Sequence, residues 1–101
     1  MSEAELFAAL GDDTRLAVLA RLGEGPASIV RLTEGHALSR QAMTKHLHVL
    51  ERAGLVGQAR AGRETVWSLR RARLDEAQRY LAAMSRAWDG RLDRLKAMVE
   101  D

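Results

Sequence analysis

Apolar positions recur at helical spacing over most of the chain and give way, past the middle, to a short stretch of extended character. Leu6, Phe7 and Leu10 form a brief helical stripe that Gly11 can end. Asp12, Asp13 and Thr14 then supply an N-cap and an acidic first turn, followed by Leu16, Leu19, Ala20 and Leu22 at helical, not alternating, spacing. This second helix stops in Gly23-Glu24-Gly25-Pro26. Ser28 caps a short third helix that holds Ile29, Val30 and Leu32 and is ended by Gly35. Ser39 caps a fourth, in which Met43, Leu47 and Leu50 fall on one face and Gly54 supplies the stop. The other face of the fourth helix presents Arg40, Gln41, Thr44, Lys45 and His48, all polar and none acidic.

After Gly54 come two extended runs, Leu55 to Arg60 and Glu64 to Leu69, the second with Val66 and Trp67 as strand formers. They flank Ala61-Gly62-Arg63, a three-residue connection that predicts a β-hairpin with Arg60 and Arg63 at its tip. From Ala72 a helical pattern runs nearly to the end: Leu74, Leu81, Trp88 and Leu95 recur every seven residues, with Ala77, Met84 and Met98 three further on and Leu92 and Val99 four further on. Roughly 27 helical residues span about 40 Å, whereas a compact chain of this length has a radius of gyration of about 13 Å. Either a partner covers the outer stripe, or the helix bends back over its own core with Gly90 as the hinge. Arg91 interrupts the seam and argues against a long regular coiled coil. The pattern predicts one domain over residues 1–101, with a helix-turn-helix at about 28–53, a wing at about 55–69 and a terminal helix at about 72–100.

Composition changes the picture in one respect. Hydrophobic residues make up 47% of the chain, but 17 of them are Ala and only four side chains are aromatic, so the core is lean and a marginal monomer or an oligomer is expected. The absence of Cys removes disulfides, thiolate metal sites, Cys nucleophiles and thiol redox sensing. No run approaches the roughly 18 apolar residues of a membrane span, and the first five residues are acidic where a signal peptide would be basic. A cytoplasmic protein with no membrane partner is expected. Charge is segregated: residues 39 to 73 carry eight Lys and Arg against two acids, net +6, while the remainder is net −4, which sums to +2. Such a basic segment in an otherwise acidic domain predicts a polyanion-binding face.

These parts compose a mainly α protein with a small β-hairpin wing (α+β), a winged helix-turn-helix with a long C-terminal dimerisation helix. A helix of this width enters the major groove, where Gln41 can pair with adenine and Arg40 or Lys45 with guanine. The hairpin arginines then reach phosphates or a narrow minor groove. The candidate contacts to double-stranded DNA are Ser39, Arg40, Gln41, Thr44, Lys45 and His48 on the helix and Arg60 and Arg63 on the wing. Two alternatives stand beside this: a core helix whose polar face is merely solvated, and a winged helix kept as a protein-interaction module with the terminal helix as its docking surface. An enzyme is disfavoured, since the chain has no Cys, no paired His with a carboxylate at motif spacing and no Gly-rich phosphate loop.

Thr14-Arg15-Leu16, then Ser39-Arg40-Gln41-Ala42-Met43-Thr44-Lys45-His46-Leu47, then Leu50-Glu51-Arg52-Ala53-Gly54-Leu55-Val56, and Gly62-Arg63 before a strand together resemble the ArsR/SmtB family of bacterial transcriptional regulators. The resemblance covers nearly the whole chain. It implies a cytoplasmic homodimer, joined through its first and last helices, that represses promoters by occupying an imperfect palindrome. The candidate interface residues on those helices are Leu6, Phe7, Leu74, Leu81, Met84, Trp88, Leu92 and Leu95. Asp13 stands where many members have Pro, and at a first helical position it still suits the helix dipole. Metal-sensing members often place two Cys in the third helix, where this chain has Ser28 and Val30. Others use Asp and His pairs on the terminal helix, yet residues 72–101 hold no His, and Asp75, Asp89 and Asp93 alone make a poor transition-metal site. The histidines are His36, His46 and His48: they leave a three-His metal site as an alternative, but His46 reads as a packing residue and His48 faces the DNA side. No metal and no other cofactor is expected. Trp88-Asp89-Gly90-Arg91-Leu92-Asp93 resembles a metal-independent branch of the family. A small-molecule or protein effector stays open. The side chains near Phe7, Tyr80, Met84 and Trp88 either line a pocket for it or simply pack the interface.

Overall fold

The computed structural model describes residues 2–100. In chain order these form α1 (Glu3–Leu10), α2 (Asp13–Leu22), β1 (Ala27–Ser28), α3 (Ile29–Thr33), α4 (Arg40–Arg52), β2 (Val56–Ala61), β3 (Glu64–Leu69) and α5 (Arg71–Glu100). The expected winged helix-turn-helix is the fold observed.

Local chemistry places the helix starts. Ser2 Oγ accepts from the Glu5 amide at 3.2 Å, Asp12 Oδ2 from Arg15 at 3.0 Å, Ser28 Oγ from Arg31 at 3.4 Å and Ser39 Oγ from Ala42 at 3.1 Å. Each cap satisfies an amide that would otherwise have no helical partner, at about 1 kcal/mol apiece. The hydrogen bond from the Arg15 amide holds the Asp12 carboxyl below its ordinary range, and the Arg15 guanidinium and His46 add to this. At the other end of α4 the Leu55 amide donates to Leu50 O at 3.0 Å and the Gly54 amide to Glu51 O at 2.9 Å. This is a Schellman motif, which requires the positive φ of 77° that Gly54 adopts. Leu50 and Leu55 close it with an apolar contact layer at 0% exposure.

The sheet has the antiparallel order β1-β3-β2. Ala61 pairs with Glu64, so the hairpin connection is Gly62-Arg63, two residues and not the three expected. Gly62 takes φ 64° at the first central position, the pattern of a type II′ turn, whose twist matches that of the strands. Strand β1 was not expected at all. Its two residues pair Ala27 with Trp67 and Ser28 with Val66, so Ser28 is at once a strand end and the cap of α3.

Leu6, Val18, Met43, Leu47, Leu50, Leu55 and Val56 are the fully buried centre of the core. Two expectations need correction. The buried side of α2 is Val18, Leu19 and Leu22, while Leu16 is 47% exposed: the helix is rotated from the stripe that its leucines suggested. Leu6, expected at a dimer interface, is 1% exposed within one copy and has no surface to offer a second.

Helix α5 does not fold back at Gly90. It joins the core through Ala77 and half-buried Leu74, and Tyr80 meets Phe7 of α1 with ring centroids 5.4 Å apart. Beyond that its side chains are exposed, and the described residues span 68 × 26 × 23 Å with a radius of gyration of 18.1 Å. No helix among the described residues is long and apolar enough to cross a membrane.

Candidate nucleic-acid interface

Three apolar residues, Met43, Leu47 and Leu50, seat α4 on the core, and their spacing turns the remaining edge of the helix outward. Ser39, Arg40, Gln41, Lys45, His48 and Arg52 are exposed along it, and Thr44 is half-buried. The Thr44 hydroxyl donates to Arg40 O at 2.7 Å, which leaves it to act outward as an acceptor and through its methyl group. Glu51, the single acid of α4, is taken up by the wing: Gln58 Nε2 donates to its two carboxylate oxygens at 3.0 and 3.3 Å.

The wing is held to α4 at a second point, where the His48 and Trp67 ring centroids lie 6.0 Å apart. Ile29, Thr44, His48, Gln58, Thr65 and Trp67 line a recess of about 210 Å³ between helix and hairpin. His48 is therefore shared between the exposed edge and the wing. Sequence reasoning missed Gln58 and Trp67 in this role, because they become cross-strand partners on one face of the hairpin only with the two-residue turn, whereas the expected three-residue connection sets Gln58 opposite Val66. Arg60, two residues along from Gln58, belongs to that face as well, and Arg63 occupies the turn. Both arginines are exposed. Among the described residues none of Arg40, Lys45, Arg60 and Arg63 makes an ion pair or a side-chain hydrogen bond within the protein. Four cations thus border the helix edge and wing with their charge uncommitted.

The remaining candidate interface residues belong to the terminal helices α1 and α5. Phe7 and Leu74 are half-buried, and Leu81, Met84, Trp88, Leu92 and Leu95 are exposed, with Tyr80, Met98 and Val99 in the same condition. Arg91 does not break the apolar face so much as cover it, its guanidinium carbon lying 5.3 Å from the Trp88 ring centroid. Among the described residues no three His, Cys, Asp or Glu side chains gather as a metal ion would need.

Comparison with known proteins agrees with this fold. The family described as Helix-turn-helix domain matches residues 10–58. The chain is 41% identical over 61 residues to the HTH-type transcriptional regulator Rv2034 of Mycobacterium tuberculosis, a match over 60% of this chain and 57% of that protein. The chain thus spans a little over half the length of that relative. Among solved structures, an ArsR-like transcriptional regulator from Rhodococcus sp. RHA1 superposes with a TM-score of 0.81 at 38% identity, covering 94% of this chain and 90% of the other. The ArsR family transcriptional regulator RHA00566 superposes with a TM-score of 0.78 at 30% identity, covering 85% and 94%.

Proposed function

Because this chain belongs to the ArsR family of helix-turn-helix transcriptional regulators, we propose that it is a cytoplasmic, homodimeric repressor that reads an imperfectly palindromic DNA site. The observation that carries the DNA-binding part is the set of uncommitted cations, Arg40 and Lys45 on the exposed edge of α4 with Arg60 and Arg63 on the wing. In this reading Ser39, Arg40, Gln41, Thr44, Lys45 and His48 meet the major groove, and the wing arginines meet phosphates or the minor groove. The apolar face of α5 carries the homodimer: Leu81, Met84, Trp88, Leu92 and Leu95 are too exposed to serve one copy alone, and Phe7 and Leu74 extend the face at its root. A two-fold dimer presents two α4 helices, which is why a palindrome is the matching target.

The test is selection of bound fragments from a pool of random duplexes, followed by a mobility-shift titration against salt. An inverted repeat should be enriched, and log K should fall by about 0.9 per log unit of salt for each phosphate neutralised. Binding indifferent to both sequence and salt would overturn the proposal.

A further inference from the structure

Helices α1 and α4 are separated by an open groove of about 330 Å³, lined by Glu5, Ala8, Ala9, Arg15, Val49, Arg52 and Ala53. One side chain crosses it. Arg15, in the first turn of α2, donates from Nε to Ala9 O at 2.7 Å and from Nη2 to Ala8 O at 3.1 Å, while Nη1 lies 3.4 Å from His46 Nδ1 on α4. Its backbone amide is meanwhile fixed by the Asp12 cap, and Asp12 Oδ2 lies 3.6 Å from the same His46 nitrogen. Helix α1 has no basic residue in its own last turn, so the Arg15 guanidinium supplies the positive charge that its carbonyl end favours.

His46 occupies the edge of α4 between its buried face and the exposed residues Lys45 and His48. The link therefore acts on the angle at which that edge is presented, not on the DNA itself. At its other end the link grips α1, the helix that Phe7 joins to Tyr80 of α5. We propose that Arg15 is a positioning residue for DNA recognition: through His46 it holds α4 at the angle required for sequence readout, and it ties that angle to α1 and the α5 arm. The proposal rests on the DNA-binding reading above and names a residue that acts on it from outside the contact surface.

The test compares wild type, Arg15→Ala, Arg15→Lys, His46→Ala and the Arg15→Ala/His46→Ala double variant. Each is titrated with the duplex selected by wild type and with a scrambled duplex across a salt series, and its thermal unfolding is recorded in parallel. Arg15→Ala should lose about tenfold in affinity for the selected duplex, the effect of one charge-assisted hydrogen bond, with scrambled binding and the salt slope unchanged. Arg15→Lys should not restore it, because a single ammonium cannot span two α1 carbonyls and an imidazole together. The double variant should lose no more than Arg15→Ala alone, since both changes cut one link. His46→Ala leaves the bonds from Arg15 to α1 intact, so it carries the test even if Arg15→Ala fails to fold.

A salt slope reduced by about one would mean that Arg15 touches a phosphate, and would overturn the proposal. So would additive losses, or a lower melting temperature with the ratio of selected to scrambled affinity intact. Failure of wild type to enrich any sequence would overturn the DNA-binding reading as well. Enrichment by wild type with Arg15→Ala and His46→Ala equal to it would overturn this one alone.

Discussion

The Asp12 carboxylate caps α2 and faces both Arg15 and His46, so the folded protein favours its charged form over that in the unfolded chain. A depressed folded pKa contributes stability that is fully present above the unfolded value of 3.8 and is lost as the pH falls through the lower folded value. Asp12→Asn retains a competent cap and removes only the charge. The variant should melt below wild type at neutral pH, and the gap should close as the pH drops below about 4. A gap of constant size over that range would mean that the charge plays no part. On the exposed edge, the proposed division of labour separates two other residues. Gln41→Ala should relax preference at one base position by about 1 to 3 kcal/mol, whereas Arg63→Ala should weaken all sequences evenly and lower the salt slope by about one. Binding to a panel of singly substituted duplexes distinguishes them, and equal losses from both variants on every duplex would reject the assignment.

Helix α4 shows how burial, not residue type, decides what a substitution costs. Leu47, at 0% exposure, should lose roughly 2 to 5 kcal/mol on change to Ala by urea unfolding at fixed protein concentration. Leu16→Ala on α2 should stay within about 0.5 kcal/mol, since that side chain is half in water. The spacing of leucines alone predicts the opposite for Leu16. Helix caps were legible because they are local: Asp12, Ser28, Ser39 and Gly54 act on amides and carbonyls a few residues away. The helical stripe of α4 was legible because Met43, Leu47 and Leu50 have no apolar competitors but Val49 and the small Ala42. On α2 both Leu16 and Val18 could face inward, and only the position of α4 and the sheet chooses between them. Strand β1 exists because β3 offers it an edge 40 and 38 residues away in the pairs Ala27 with Trp67 and Ser28 with Val66, too distant for any local pattern. Arg15 is a similar case. Its motif was visible, but a guanidinium reaching back to α1 and across to α4 leaves no mark in spacing.

For the whole molecule, the lean core and the long arm are two sides of one arrangement: the protein places apolar area outside its own globule, along α5. Val99 is 80% exposed and Trp88 54%, values at odds with a finished surface. Wild type should therefore sediment at twice its 11.2 kDa mass, and Leu92→Asp combined with Trp88→Ala should sediment as a single copy while keeping the fold of residues 3–69. A wild-type chain that stays single at high micromolar concentration would remove the dimer from the proposal. The arm carries a further consequence for how this protein comes into being. Past Tyr80 about 20 residues of α5 have only themselves for support, with Gly90 in their midst, and an isolated helix of that length is marginal in water. If the proposed dimer forms through α5, the distal arm finds its support there, and its helix should fray in dilute protein and firm as a second arm comes to lie against it. Ellipticity per residue should rise with protein concentration, and a protease should clip dilute protein near Gly90 while sparing concentrated protein. In the proposed dimer, chain assembly and arm winding are one equilibrium, and the dimer concentration should climb with the square of chain abundance when chains are scarce.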